Sequence, residues 1–189
     1  MKAVKFGVVL FLLAFLSAPS LFADAAYSYK GNYFDGFVST IPNNPYTTSD
    51  RVTMWFTATA PLPPNGNWSS FTPNSYSFSD GLQTIDSNTV GAVLTHFYLV
   101  TDSSGALIQW ELAVWVPTNY SGIATVDVSG LAINDYGIFY PSGAPPDYWE
   151  GGNSNAPGTW GAVPEPGTLA MVTTGGIGVA GLIRRKLLR

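Results

Sequence analysis

The chain reads as an all-β protein, a single antiparallel β-sandwich or jelly-roll-like domain. Three observations carry this. The middle of the 189 residues is rich in Thr, Ser, Val, Tyr, Phe and Trp, and Gly, Pro, Asn and Asp punctuate it at short, irregular intervals. No long stretch there repeats its apolar residues every 3.6 positions, as an amphipathic helix would. Several short runs instead alternate apolar and polar residues, the signature of strands with one buried face.

The first element is not part of the fold. MKAVKFGVVLFLLAFLSAPSLFADAA has Lys2 and Lys5 ahead of an apolar run from Phe6 to Leu16, then Ala23-Asp24-Ala25 as an A-x-A cleavage site. The run is shorter than the ~20 residues of a spanning helix. Residues 1–25 are therefore read as a secretory signal peptide, with Ala26 opening the mature β domain, residues 26–150.

Within that domain RVTMWFTAT (Arg51 to Thr59) alternates as a strand and is closed by the Pro- and Gly-rich PLPPNGN. YSFSDG (Tyr76 to Gly81) is a shorter strand running into a turn, and IATVDV (Ile123 to Val128) is another. The strongest signal is LTHFYLVTDSSGALIQWELAVWV, Leu94 to Val116, two alternating runs around a four-residue Asp102-Ser103-Ser104-Gly105 loop. If Thr101 pairs with Ala106, Phe97 faces Trp110 and Leu99 faces Ile108 on an apolar side. His96 then faces Glu111, and Tyr98 faces Gln109, on the wetter side. Residues 151–162 are Gly-, Asn- and Pro-rich and read as a flexible linker.

Charge and cysteine content exclude several functions. From Ala26 to Ala162, two basic residues (Lys30 and Arg51) against ten acidic ones leave −8, whereas the whole chain carries −4. Such a domain repels nucleic acid, whose binding relies on Lys and Arg. The absence of cysteine rules out disulfides, thiolate metal sites and thiol nucleophiles. The one histidine, His96, is expected to pair with Glu111 across the hairpin rather than act as a base, and no G-x-S-x-G serine elbow, H-E-x-x-H or paired-His metal motif occurs. Asp80, Asp86 and Asp102 lack calcium-loop spacing. No cofactor and no metal is expected.

Two residue sets keep function open. Glu111 and Glu150, the only glutamates of the mature domain, are the pair a glycoside hydrolase would need, with a separation the sequence does not set. Of the six tryptophans, Trp55 and Trp110 are expected in the core, because alternate strand residues must be. Trp68 and Trp149, among loop residues, are the candidates for stacking on a carbohydrate.

The C-terminus carries the most specific pattern. Val163-Pro164-Glu165-Pro166-Gly167 is followed by an uncharged stretch, Leu169 to Ile183, and then by Arg184, Arg185, Lys186 and Arg189. As a helix the stretch would be about 22 Å long, short of a ~30 Å hydrocarbon core, and it contains four glycines. The basic end keeps the C-terminus cytoplasmic while the signal peptide sends the middle out. Two prolines hold the motif extended, and Glu165 keeps it at the outer face of the bilayer.

Residues 163–189 thus resemble the PEP-CTERM sorting signal. The resemblance implies recognition by an exosortase, a membrane-embedded cysteine-type transpeptidase, and cleavage near Pro-Glu-Pro. It implies passage through the inner membrane to the cell surface of a bacterium that makes exopolysaccharide. YSYKGNYFDGF, YTTSDRVTMWFTATAPLPPN, YSFSDGLQTI and TDSSGALIQWEL resemble an ectodomain that recurs in such proteins, which adds an expectation of β structure and no site. The expected function is a non-enzymatic structural or adhesive part of the exopolysaccharide matrix. A carbohydrate-binding module is the alternative, and a glycoside hydrolase the less favoured one.

Overall fold

The structure is a computed structural model that describes residues 24–163, apart from 129–133, 144, 155 and 157. The cleavage-site residue Ala23, the motif from Pro164 to Gly167, the short helix expected after it and the basic residues Arg184, Arg185, Lys186 and Arg189 lie outside the described residues.

Twelve strands are formed among the described residues: β1 (Ala25–Lys30), β2 (Gly36–Ser39), β3 (Thr53–Ala58), β4 (Asn67–Trp68), β5 (Ser75–Ser79) and β6 (Thr84–Asp86). They continue with β7 (Val93–Thr101), β8 (Leu107–Val116), β9 (Ser121–Asp127), β10 (Asn134–Phe139), β11 (Trp149–Ser154) and β12 (Thr159–Val163). Two antiparallel sheets pack as a sandwich. One has five strands in the order β12-β1-β3-β5-β6, the other seven in the order β2-β11-β10-β9-β8-β7-β4. The strands expected at Arg51 to Thr59, Tyr76 to Gly81 and Ile123 to Val128 are β3, β5 and β9.

Alternation places the core. Met54, Phe56 and Ala58 of β3 point inward, as do Tyr76 and Phe78 of β5 and Trp110, Leu112 and Val114 of β8. Phe56 is the hub, stacked on Tyr27 at 4.9 Å and meeting Phe97 edge-on at 5.2 Å. Trp110 is core as expected, with its indole N–H donated to the Thr125 hydroxyl at 2.9 Å.

Trp55 is not core. It has the opposite parity from Met54 and Phe56, and 44% of its surface is exposed. One neighbour must face solvent when the other faces in, and the buried Val52, Met54 and Phe56 fix which.

The segment 151–162 is also not a linker. Most of Trp149–Ser154 and Thr159–Val163 falls within it, and these strands pair with β10 and β1. Its glycines suit close packing rather than flexibility: a Cβ at Gly151 would run into Phe34 and Tyr46, and one at Gly158 into the backbone of Lys30 and Gly31.

The β7–β8 hairpin forms, in a different register. Gly105, at φ 86°, adopts the left-handed conformation, so a three-residue loop is closed by Asp102 N–H donating to Ala106 O at 2.9 Å. The Asp102 carboxylate caps the loop, accepting from the Ser104 hydroxyl, Ser104 N and Ala106 N, and these bonds hold its pKa below the ordinary value. Thr101 then pairs with Leu107, but Val100 pairs with Gln109, leaving Ile108 as the extra residue of a bulge. That explains why Ile108 is 49% exposed instead of facing Leu99. A second irregularity leaves Thr95 unpaired between Leu94 and His96. Phe97 and Leu99 still face inward, opposite Leu112 and Trp110, because the net shift is two residues and keeps parity.

Two buried carboxylates tie the sheets together. Asp80, at the end of β5, accepts from Tyr46 Oη at 2.6 Å, Leu82 N at 2.9 Å, Gln83 N at 2.8 Å and Gln83 Nε2 at 3.0 Å. It reaches across to Gly137 of β10, where a Cβ would overlap the carboxylate. Asp135 of β10 reaches the other way, to Gly31 beyond β1, and accepts from Tyr29 Oη at 2.9 Å. Tyr29 Oη in turn accepts from Gly158 N at 2.9 Å, which anchors the approach to β12.

Candidate functional site

Two regions hold the residues singled out above: the corner where the chain enters and leaves the domain, and the outer face of the seven-stranded sheet. At the corner, Ala25 opens β1 buried and opposite Ala58, so a cut after Ala25 removes one residue and leaves Ala26 to start the strand. Ala26 pairs with Thr57 on one side and with Val163 on the other. The expected new N-terminus and the last residue before Pro164 are therefore register partners. β12 is an edge strand whose described residues run to Val163, and the next residue in sequence is Pro164, which has no N–H to offer. The sorting motif begins directly at the folded body, with no slack chain between them.

On the seven-stranded sheet, pairing lines up the outward residues in three rows across the strands. One row is Tyr98, Glu111, Val126, Asn134 and Ser154. The next is His96, Ala113, Ala124, Tyr136 and Gly152, and the third is Trp115, Gly122, Ile138 and Glu150. Between His96 and Tyr136 the middle row carries only Ala113 and Ala124, so the face dips there into a shallow trough beside Trp115. The Trp115 indole occupies the space a Cβ at Gly122 would need. Clefts of about 430 Å³ around His96 and Glu111, and about 510 Å³ around Tyr136 and Glu150, mark its two ends.

His96 Nδ1 lies 3.3 Å from Glu111 Oε1, so the expected pair forms. It forms diagonally, since Ala113 stands opposite His96 and Tyr98 opposite Glu111. With His96 59% exposed, the pair is a solvated cross-strand contact. Burial pushes the Glu150 carboxyl above its ordinary pKa. Burial, then the charges of Glu150 and Glu111, push the Tyr136 hydroxyl up; in register Tyr136 stands on β10, on the row between those of the two glutamates. Glu111 and Glu150 are three strands and four residues apart in register, roughly 20 Å between Cα atoms at ~4.8 Å per strand and ~3.4 Å per residue.

The two loop tryptophans are packed rather than displayed. Trp68 is in β4, half-buried, opposite Leu99 and edge-on to Phe71 at 6.3 Å. Trp149 opens β11, stacked on Phe139 at 6.0 Å, with its indole nitrogen buried. Turn-rich flanks concealed two short strands. The exposed aromatics among the described residues are instead Tyr33, Phe37, Trp55, Tyr120 and Tyr136, and Trp55 is the one tryptophan of that set. Parity with Met54 and Phe56 is the sequence signal that finds Trp55. Asp86 and Asp102 serve their own turns, and no group of three His, Cys, Asp or Glu suited to a metal gathers among the described residues.

A family model described as the PEP-CTERM protein-sorting motif matches residues 162–186. No curated protein and no solved structure matches the chain. The chain carries a PEP-CTERM protein-sorting motif at its C-terminus, and that motif implies an exported, membrane-sorted protein processed by an exosortase.

Proposed function

We propose that this exported protein is a non-enzymatic, structural or adhesive component of the exopolysaccharide matrix at the cell surface. The observation that carries the reading is the junction of fold and motif. Val163 is held in β12 opposite Ala26, so cutting just beyond it releases a domain that keeps every strand described above. The basic residues Arg184, Arg185, Lys186 and Arg189 keep the C-terminus cytoplasmic until that cut, by charge.

Against glycoside hydrolysis stands the register of Glu111 and Glu150: with their Cα atoms ~20 Å apart, both side chains would have to reach fully toward one another to approach the ~5–9.5 Å between carboxyl groups of working pairs. A carbohydrate-binding role is compatible with the matrix reading, and exposed aromatic rings on sheet faces suit it better than Trp68 and Trp149, which are packed in β4 and β11.

The test is fractionation of the producing cells with mass spectrometry of the protein. The wild type is expected in the matrix fraction, ending near the Pro-Glu-Pro motif. Deleting Pro164 to Pro166 is expected to leave the full chain in the inner membrane. Released wild-type protein that still ends in Arg189, or protein that never reaches the matrix, refutes the reading.

A further inference from the structure

The five-stranded sheet turns an unusual face to solvent. β3 is its central strand, and Trp55 stands at the middle of the face. Register places Ser28 on one side of Trp55 and Ser77 on the other, with Gly161 beyond Ser28 and Asp86 beyond Ser77. The row above is Ala26, Thr57 and Ser75; the row below is Lys30, Thr53, Ser79 and Thr84. Among the described side chains pointing out of β1, β3, β5 and β6, only Trp55 is large and apolar. Its neighbours are too small to cover it.

We propose that this face is a docking plane for a neutral polysaccharide, with one sugar ring stacked on the Trp55 indole. The proposal rests on the matrix reading above and names its partner and its site. Three features select that occupant. First, hydroxyls surround the ring. Ser28 donates to Gly161 O at 3.2 Å and Ser79 to Gln83 O at 3.1 Å, while Thr57 and Ser75 share a bond of 2.7 Å. A hydroxyl that has spent its proton internally keeps acceptor lone pairs, which suit the O–H groups of a sugar. Second, Lys30 and Asp86 are the only charges of opposite sign on these positions and offset one another, whereas the domain as a whole is at −8. That disfavours a polyuronate and gives a polycation no special hold. Third, a second protein copy is a poor fit. A stable protein interface needs ~800 Å² per partner around an apolar centre, and one indole supplies at most ~250 Å². A flat sugar ring needs one aromatic face and a rim of hydrogen-bonding groups.

The strand spacing of ~4.8 Å puts Ser28 and Ser77 beside the ring to meet the sugars before and after it. The trough on the other sheet is the weaker candidate because its Trp115 already packs on Gly122.

The experiment uses full-length protein purified in detergent, retarded in gels containing hydroxyethyl cellulose or laminarin as neutral glucans, alginate as a polyanion and chitosan as a polycation. A neutral glucan is expected to retard the wild type most. Trp55→Ala is expected to weaken that retardation about tenfold or more, as loss of an aromatic anchor does. Because Trp55 is exposed, circular dichroism of the variant should be unchanged. Ile108→Ala, an exposed position on the other sheet, should behave as wild type. The proposal is overturned if folded Trp55→Ala binds as the wild type does, if alginate or chitosan binds better than both glucans, or if neither glucan binds. It is also overturned if Trp55→Ala only dissociates a dimer. In each of those cases wild-type protein still found in the matrix fraction leaves the matrix reading standing; loss of that location tells against the reading itself.

Discussion

Asp135 makes the stability of this domain depend on pH, with a sign opposite to that of most carboxylates. Its side chain is buried beneath β10, facing the hydroxyls of Tyr29 and Thr125 and the glycine at position 31. Burial raises its pKa from the ordinary 3.8 to about 6, although the Thr125 and Tyr29 bonds pull the other way. Between those two values the folded state holds a proton that the unfolded chain has released. The contribution to stability is therefore complete below pH ~3.8 and lost as the pH rises through ~6. At about 1.4 kcal/mol per pH unit, the gap corresponds to roughly 3 kcal/mol. Asp127 and Glu150, also raised by burial, slope the same way, so the contribution of Asp135 has to be isolated by difference. Asp135→Asn keeps the shape and removes the titration. Urea unfolding followed by tryptophan fluorescence at about pH 3.5, 5, 6 and 7 would measure it. The stability of wild type minus variant is expected to fall by about 3 kcal/mol across that range, a midpoint change of roughly 1–2 M. A difference that does not change with pH, or that rises, refutes the reasoning.

Tyr46→Phe removes the donor that meets Asp80 at 2.6 Å and leaves a buried carboxylate oxygen one bond short. The expected loss is about 1–3 kcal/mol in urea unfolding, and an unchanged midpoint would show that Asp80 is satisfied without it. His96→Ala breaks only a solvated pair with Glu111, so stability at about pH 6 should stay within about 0.5 kcal/mol. A larger loss in the same assay would mean that the pair is shielded from water.

Much of this fold is legible in the amino-acid sequence. The hairpin, β3 and β5 follow from two-residue periodicity, because a half-buried strand must alternate wherever it lies, while β9, buried along Ser121 to Thr125, is legible from its β-branched residues. Less legible are the elements whose partners are far away along the chain. β11 and β12 read as linker because Gly, Asn and Pro carry no apolar pattern, yet Gly151 and Gly158 are required where Tyr46 and the Lys30 backbone press against them. Trp68 and Trp149 read as loop contacts because their strands are too short, or too polar in their flanks, to show a period. The hairpin register differs from the expected one by two residues because Gly105 and the bulge at Ile108 each add one, and neither changes the alternation.

Destination and fold class are thus written locally. A sorting signal is a string read along the chain, and strand periodicity is a property of neighbouring side chains, so both are present in the linear order of residues. Which residues meet is settled only when the two sheets assemble: Ala26 with Val163 at the exit corner, Asp135 with Tyr29 in the core, Glu111 kept far from Glu150, and Trp55 left bare among serines and threonines. Those neighbours come from strands up to 137 residues apart, as Ala26 and Val163 are. Pairing across such separations is set by the summed packing of the two sheets, which no single stretch of the chain encodes.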